Sequence, residues 1–477
     1  MPLIIPANTL SGGYEVANSC RFNQPSGDYL NRTPSGAGNQ KTFTMSCWYK
    51  KMKTGAKDII MSTTDGGGTF FVMGFVGSGT HADKFYVYFW DGSTDYGYTT
   101  NRLFRDYSAW LNIVVSIDTT QGTESNRVKL YINGTEESLT ATYGAFPQNH
   151  DTYFNDSNVH YIGYDHDAAG ALFNGYLAEL VVLDGTAANA TSFGEFDEDS
   201  PTIWKPINVS GLTFGTNGFY LDFENASSLG ADVSGNSNNF TVNNLTSIDQ
   251  STDTCTNNFA TLNPLMGGRG STLSEGNLKV TGESDNNYDV ATFGSDMKWY
   301  YEWKVDENYD GSGGGVRLGA IHIDELSTND NFSNFATTKV KLYTNSNDGK
   351  TQEGPGDNVI TGLTRATTDN IIMCACDGTN AKIWWGINGT WLDYGSGTGD
   401  PANGNNSAPW SSNAMASGIY FPVICYSGTA AAGSLNLGNP PFSISSGNAD
   451  ANGYGNFEYA VPSGFYSLCT KNLAEFG

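Results

Sequence analysis

Residues 369–391 read DNIIMCACDGTNAKIWWGINGTW, and this stretch decides the predicted fold. At period two, alternate residues from Ile371 to Ala375 share one face, and those from Ile372 to Cys376 share the other. Both faces are apolar, which is typical of a strand buried inside a β-sandwich. Asp377-Gly378 predicts a turn into a second strand, and Asn388-Gly389 predicts a tight turn at the end of that strand.

The same pattern occurs earlier in the chain. An apolar strand is predicted at Trp110–Asp118, and a second one at Arg127–Thr135 also reaches an Asn-Gly pair, Asn133-Gly134. Two buried hairpins of one design predict two related β-sandwich domains.

Composition agrees with an all-β chain of two domains. At 477 residues the chain is longer than one hydrophobic core usually supports. It has 58 glycines and an aromatic content of 13%, which favours many turns and strands whose interiors are filled by aromatic side chains.

Charge and cysteine content exclude several function classes. The formal net charge of -25 would repel a phosphate backbone, so nucleic-acid binding is not expected. No stretch is long and apolar enough for membrane insertion, and the N-terminus does not have the pattern of a secretory signal. The seven cysteines fall mostly in predicted strands, which predicts buried free thiols rather than a disulfide framework.

The first half carries an ordered set of short motifs, which are Asp28-Tyr29-Leu30, Phe43–Trp48, Ile113-Val114-Val115, Lys129–Gly134, Ile162-Gly163 and Phe173–Leu180. This set resembles the laminin G-like, concanavalin A-like jelly roll. The resemblance implies a fold used for sugar or protein binding and does not imply catalysis.

The second half carries another ordered set, which is Lys298–Glu302, Val316–Ile323, Ala375–Asp377, Lys382–Trp385, Asn388–Trp391 and Tyr420–Phe421-Pro422. This set resembles a SPRY domain, which implies a two-sheet sandwich that presents partners to loops at one end. The long loops at 324–339 and 393–416 depart from the compact family form, so no binding residue is carried over.

The order of these domains, with Gly218–Phe223 and Asp232–Asn236 between them, resembles virion proteins of marine tailed bacteriophages. The resemblance implies a structural or adhesive virion protein, assembled in the host cytoplasm. Its partners would be other virion proteins and a host surface glycan or protein, and a homo-oligomer is expected.

The predicted organisation has four parts: an extended arm at 1–18, a laminin G-like sandwich at 19–205, an irregular linker with one strand at 206–264, and a SPRY-like sandwich at 265–477. The arm holds Leu3, Ile4, Ile5 and Leu10 between and after two prolines, which disfavour a helix. We expect it either to lie on a neighbouring subunit or to fold back on its own domain.

Two aromatic groups are candidate ligand contacts, and they comprise Trp90, Tyr96 and Tyr98 in the first domain and Trp391, Tyr394 and Trp410 in the second. Each group surrounds turns and could stack on a sugar ring, although core packing would also account for it. Asp165 and Asp167 could bind calcium in a loop, or could form an Asp-rich turn. No cofactor is required by this interpretation.

Three functions remain open. The first is a non-enzymatic virion adhesin that recognises a host glycan or protein through sandwich loops. The second is a structural capsid decoration or tail component that docks onto neighbouring virion subunits. The third is a carbohydrate-active enzyme, which would need two suitably spaced carboxylates. Glu195, Asp197 and Asp199 alternate, but they lie in a predicted acidic loop without flanking aromatic residues, so we predict a non-enzyme.

Overall fold

The computed structural model describes residues 13–53, 55, 57–165, 173–267, 271–282, 288–307, 315–326, 339–345, 349–354, 357–410, 414–427 and 431–477. These residues fall into two compact units that divide between Thr256 and Asn257. We call the described residues from 13 to 256 the first domain and those from 257 to 477 the second domain.

The strands of the first domain are, in chain order, β1 (Ser19–Phe22), β2 (Tyr29–Arg32), β3 (Thr42–Lys51), β4 (Asp58–Thr64), β5 (Phe70–Phe75), β6 (Phe85–Trp90), β7 (Asp95–Thr100), β8 (Trp110–Asp118), β9 (Val128–Ile132), β10 (Thr135–Glu136), β11 (Leu139–Thr140), β12 (Val159–Ile162), β13 (Gly175–Asp184), β14 (Gly194–Phe196), β15 (Trp204–Pro206), β16 (Phe219–Leu221), β17 (Thr241–Asn243) and β18 (Gln250–Ser251).

These strands form two large antiparallel sheets. Sheet I has the order β10-β9-β8-β3-β13-β1-β18, and β16 also pairs with β13. Sheet II has the order β11-β7-β6-β5-β4-β12-β2-β17, and β14 pairs with β15 in a small hairpin. The sheets form a sandwich because one face of each is apolar: Met45 and Cys47 of β3 share one core with Phe71 and Met73 of β5.

A second apolar layer covers the outer face of sheet I. Trp48, Trp110 and Tyr176 point away from the sandwich interior and pack in one buried cluster with Val209 and Phe214. This layer explains why β8 is buried on both faces, as the sequence predicts.

Residues 206–264 therefore do not form the predicted linker. Residues up to 256 belong to the first domain, where β16, β17 and β18 extend the two sheets. The prediction was wrong because polar side chains in this stretch bind local backbone; Asp232 Oδ1, for example, accepts from the amides of Tyr220 and Ser234. Phe219, Leu221, Phe240 and Leu245, which lie between them, are buried.

The predicted arm lies mostly outside the described residues. Leu3, Ile4, Ile5 and Leu10 are among the undescribed ones, so their role in assembly stays a prediction. Of the arm's last residues, Val16 is buried against the first domain, and its amide donates to Thr256 Oγ1 at 3.2 Å.

The second domain contains β19 (Leu262–Gly267), β20 (Ser271–Ser274), β21 (Lys279–Gly282), β22 (Tyr288–Ala291), β23 (Lys298–Glu307), β24 (Gly315–His322), β25 (Val340–Asn345), β26 (Gly349–Glu353), β27 (Asp357–Leu363), β28 (Ile371–Asp377), β29 (Lys382–Ile387), β30 (Thr390–Trp391), β31 (Tyr420–Ser427), β32 (Ala431–Asn436) and the helix α1 (Thr470–Phe476).

Two antiparallel sheets form this domain as well. Sheet III has the order β19-β22-β31-β24-β25-β26-β27, and sheet IV has the order β20-β21-β32-β23-β28-β29-β30. The all-β prediction is confirmed. Within the described part of the chain, no helix is long and apolar enough to cross a membrane.

The stretch at 369–391 has the predicted structure. All seven residues of β28 are buried, and β28 pairs with β29. Asn388 and Gly389 both have positive φ, at 50° and 82°, as the predicted turn requires. Cys374 faces the sandwich core, while Met373 packs on the opposite side with Phe457 and Phe465. These two residues belong to the C-terminal segment, which is the part of the chain that follows β32. All seven cysteines are free and buried, as predicted.

A buried histidine gives the first domain a predictable response to pH. His160 on β12 accepts a hydrogen bond from the amide of Asn155 at Nε2, at 3.0 Å, and its Nδ1 lies 2.8 Å from the carbonyl oxygen of Asn158. Nδ1 therefore carries the proton, and the ring is neutral. Burial lowers the pKa of His160 to about 4.

We expect this histidine to destabilise the first domain in mild acid. Between pH 6.5 and 4 the unfolded chain binds a proton that folded His160 does not, so stability falls as pH falls through this window. The loss at pH 5 relative to pH 8 should be about 2 kcal/mol. Urea unfolding should show this loss in the wild type and a smaller one in His160→Gln. Equal losses in both proteins would contradict the prediction.

Candidate functional site

A concave groove of about 710 Å³ lies on the outer face of sheet II. Its described lining residues are Gly55, Lys57, Phe70, Val72, Val76, Gly77, Ser78, Tyr86, Tyr88 and Tyr143. Most of them come from β5, β6 and the loops beside these strands. The groove therefore has a floor of regular sheet and a rim of loops.

The floor arises from two strands that are apolar on both faces. Successive side chains of a strand point to opposite faces, so Phe71 and Met73 enter the core while Phe70 and Val72 face outward. In β6, Val87 likewise faces inward, and Tyr86 and Tyr88 face outward. The register aligns these outward residues, because Val72 pairs with Tyr88.

Tyr88 is the centre of an aromatic group in the groove. Its ring centroid is 5.6 Å from that of Phe70 and 6.4 Å from that of Tyr86. The ring of Tyr143 lies 5.0 Å away at an interplanar angle of 77°. Phe70, Tyr88 and Tyr143 are only partly buried, so part of each ring remains open to a ligand.

Gly97 on β7 provides the space beside Tyr88. The two residues are paired across the strands, and a Cβ added at Gly97 would lie 3.2 Å from Cδ2 of Tyr88 and 2.7 Å from the carbonyl oxygen of Val87. Because the closest of these contacts is with backbone, a larger residue would disturb the pairing of β6 with β7 beside Tyr88. The backbone of Gly97 also holds Tyr143, whose amide donates to the Gly97 carbonyl at 3.2 Å.

Polar groups lie at the rim of the groove. Lys57 forms an ion pair with Asp165, whose side chain is 1% exposed, while that of Lys57 is 36% exposed. The Tyr88 hydroxyl donates to Asp95. Burial, followed by this hydrogen bond, raises the pKa of Tyr88, so the hydroxyl stays neutral. Besides the tyrosine hydroxyls, Lys57 and Ser78 carry the polar side chains among the described lining residues.

Asp83 positions two residues of the rim. It adopts φ 61°, and its amide donates to the carbonyl of Val76 at 2.9 Å. Its carboxylate accepts from Arg105 Nε at 2.8 Å and from the amide of Gly55 at 3.5 Å. Gly55 and Val76 are therefore connected through one buried residue, which binds Gly55 with its carboxylate and Val76 with its backbone amide.

These features suit a ligand with flat apolar faces and a hydroxylated edge. Aromatic rings bind the apolar face of a sugar, while an ammonium and a hydroxyl can bind its hydroxyl groups. Among the described lining residues, none is a carboxylic acid. The described residues also contain no cluster of three or more histidine, cysteine or acidic side chains that could hold a metal ion.

The predicted ligand contacts of the first domain separate onto two faces. Trp90 lies on the groove face of sheet II, where it pairs with Phe70. Tyr96 faces inward and stacks on Phe89 at 6.2 Å. The prediction is wrong for Tyr98, which is 5% exposed in the core and whose hydroxyl accepts from the amide of Phe146. Ligand contact by Trp90 and Tyr96 stays a prediction.

The second-domain candidates are also separated. Tyr394 is 7% exposed, and its hydroxyl accepts from the amide of Trp385 at 2.8 Å, so its predicted role as a sugar platform is wrong. Trp391 packs with Tyr300 on one side of sheet IV, and Trp410 packs near Trp385 on the other side. The structure does not bring Trp391 and Trp410 together on one face, and ligand contact by each stays a prediction.

The acidic candidates have local partners. Asp165 is paired with Lys57, and Asp167 lies outside the described residues, so the calcium site stays a prediction. Glu195 lies on the β14–β15 hairpin rather than in the predicted acidic loop, and both it and Asp197 are within 3.5 Å of Lys205 Nζ. Asp197 Oδ1 also accepts from the amides of Asp199 and Ser200, which makes it a turn residue.

Sequence reasoning missed Phe70, Tyr86, Tyr88 and Tyr143. A signal was present, because β5 and β6 are apolar at both alternating sets of positions. Such a strand either has a second layer over its outer face, as sheet I does, or leaves that face open for binding. The sequence does not distinguish these cases.

Comparison with protein families supports the fold of the first domain. Residues 25–191 match a laminin G family model described as the concanavalin A-like lectin/glucanases superfamily. The first domain accordingly has a concanavalin A-like, laminin G-like fold over these residues. Comparison with curated proteins found no match.

Solved structures show distant likenesses. A candidate carbohydrate-binding protein of Bacteroides ovatus is 17% identical, with a TM-score of 0.33, 48% of this chain covered and 59% of the other chain. The LG4-5 domains of the mouse laminin alpha1 chain are 9% identical, with a TM-score of 0.30, and the match covers 97% of this chain and 100% of the laminin chain. The human HERC1 SPRY domain is 18% identical, with a TM-score of 0.27, and the match covers 36% of this chain and 96% of the SPRY domain.

Proposed function

We propose that the first domain is a glycan-binding module and that its binding site is the groove on sheet II. One observation carries this proposal: Phe70, Tyr86, Tyr88 and Tyr143 come together in a concave site with Lys57 and Ser78 at its rim. In this arrangement a sugar ring stacks on Tyr88, and its hydroxyl groups bond to the rim. The site is a sheet face rather than the sandwich loops expected from the resemblance.

The proposed module binds without cleaving its ligand. Glycoside hydrolysis commonly uses a pair of carboxylic acids on either side of the bond to be broken. The described lining residues include no carboxylic acid, Asp95 and Asp165 at the rim are engaged by Tyr88 and Lys57, and Glu195 and Asp197 are engaged by Lys205 on a separate hairpin. This supports the interpretation as a non-enzyme.

We expect Tyr88→Ala to weaken glycan binding by about tenfold, which corresponds to about 1.4 kcal/mol, because the ring at the centre of the platform is lost. Affinity electrophoresis of the full chain in gels containing laminarin, xylan or alginate would first identify a retained polysaccharide and then measure the variant.

The control is Tyr131→Ala, which removes a half-buried tyrosine from sheet I. It should bind as the wild type does. If no polysaccharide of a broad panel retards the wild type, or if both variants bind equally, the groove is not a glycan site.

The biological setting we propose is the surface of a bacteriophage virion, where the module recognises a host glycan or protein. Support comes from the resemblance of the domain order to virion proteins, and the alternative is a capsid decoration or tail component that docks only onto neighbours. Immunogold labelling of purified particles tests this setting. Labelled particles that adsorb less well to host cells after Tyr88→Ala would support adhesion, while labelled particles with unchanged adsorption would favour the structural role. Absence from particles would exclude both.

A further inference from the structure

Three tyrosines form a second aromatic group on sheet II, outside the groove. The ring of Tyr29 lies 4.7 Å from that of Tyr164 and 6.0 Å from that of Tyr161. Tyr161 and Tyr164 are 4.9 Å apart. All three are partly buried, so they form a platform that packs against itself and remains partly open. We call this the tyrosine platform.

The platform lies on the same face as the groove. Leu30 and Ile162 are buried in the sandwich core, so the alternating residues Tyr29 and Tyr161 point outward. The register places Tyr161 beside Ser62, Ser62 beside Val72, and Val72 beside Tyr88. Tyr161 and Tyr88 therefore lie in one row across four strands, on the outer face of sheet II.

The distance between the two aromatic groups limits the ligand. Three strand spacings separate Tyr161 from Tyr88, which is about 14 Å. A single sugar ring is too short to contact both. A ligand that uses both groups must be a chain that runs across the strands.

An ion pair connects the groove to the platform. Lys57 lines the groove, and its partner Asp165 directly follows Tyr164. The Ser62 hydroxyl also donates to the carbonyl of Tyr164 at 2.7 Å, which attaches the platform to the sheet. The charge of Lys57 is balanced by Asp165, and the chain carries a net charge of -25, so this face offers no excess positive charge to a polyanion.

From this geometry we propose that the ligand is a neutral linear glycan bound across sheet II, with one segment on Tyr88 and a later segment on the tyrosine platform. The inference rests on the proposed glycan-binding function and adds the class of ligand. Each contact alone is weak, and the two together bind a longer chain more tightly because the second contact is intramolecular.

The test is the dependence of affinity on ligand length. Isothermal titration of the full chain with graded oligosaccharides of laminarin and of xylan, both neutral, and of alginate, which is acidic, should show affinity rising by about tenfold between short and long neutral chains. Tyr161→Ala should remove this rise and leave the affinity for short chains unchanged. Tyr88→Ala should weaken both.

Two further variants distinguish the loss of the platform contact from misfolding. Tyr161→Phe keeps the aromatic ring and should keep the rise of affinity with ligand length. Tyr29→Ala removes a platform ring that lies on a different strand, β2, and should reduce this rise. If short neutral chains bind but no rise with length occurs, or if Tyr161→Ala and Tyr29→Ala keep the full rise, the platform is not a second contact although the groove binds glycan. Tighter binding of alginate would overturn the neutral class. Absence of binding to every chain would overturn the proposed function and this inference together.

Discussion

Replacing Asp253 by asparagine is expected to destabilise the first domain by about 3–5 kcal/mol. The carboxylate of Asp253 lies 2.6 Å from Lys50 Nζ, and both side chains are 0% exposed. The other carboxylate oxygen accepts from Trp110 Nε1 at 2.9 Å. The amide keeps an acceptor for Trp110 but takes the closest counter-ion away from the buried lysine charge, and burial already lowers the pKa of Lys50.

Hydrogen exchange of native protein measures this effect in each domain separately, because peptides from 42–51 and 110–118 report on the first domain and those from 298–307 on the second. In Asp253→Asn, only the peptides from 42–51 and 110–118 should exchange faster than in the wild type. The double variant Lys50→Met/Asp253→Asn should recover much of the loss, because it also removes the buried lysine charge. Asp199→Asn, at an exposed position, is the control. A single variant as stable as this control would contradict the ion-pair account.

The second domain should lose about 4 kcal/mol when Glu302 is replaced by leucine, because four donors, two of them buried and two partly buried, then lose this acceptor. The carboxylate of Glu302 on β23 accepts from the amides of Glu458 and Tyr459 at 2.9 and 2.8 Å. It also accepts from the Tyr300 hydroxyl at 2.9 Å and from Asn436 Nδ2 at 3.1 Å. One side chain thus attaches the C-terminal segment to sheet IV.

The same exchange measurement tests this prediction. Peptides that contain 457–459 should exchange fastest in Glu302→Leu and more slowly in Glu302→Gln, which keeps one acceptor oxygen. In the control Glu307→Gln, at an exposed position on the same strand, they should exchange at the wild-type rate. Peptides at 42–51 should not change. Normal protection at 457–459 in the leucine variant would show that the segment is held by other contacts.

Local chemistry made part of this structure predictable. The turn at Asn388-Gly389 requires positive φ at both positions, which this pair tolerates. The hairpin could therefore be identified from the turn residues and the apolar residues that precede them. Likewise, two apolar faces on β28 predict burial on both sides without knowledge of the partner. These features depend on neighbours in sequence, and for that reason they are readable there.

Features that depend on distant contacts were not predictable in the same way. Phe219 and Leu221 pair with β13 of sheet I, a strand that ends at Asp184, and both are buried in the sandwich core. The residues around them are mostly polar, so the stretch resembles a linker in composition. Tyr88 and Tyr98 look alike in sequence, yet one faces the groove and the other the core. Both faces of β6 are apolar, and only the packing of sheet I on one of them decides which is inside.

The most direct test of the central claim is a crystal structure of the full chain with the oligosaccharide that it retains most strongly. We predict a sugar ring stacked on Tyr88 between Phe70 and Tyr143, with its hydroxyl groups near Lys57 and Ser78. A ligand bound instead at the loops of either sandwich, with the groove on sheet II empty, would contradict the account.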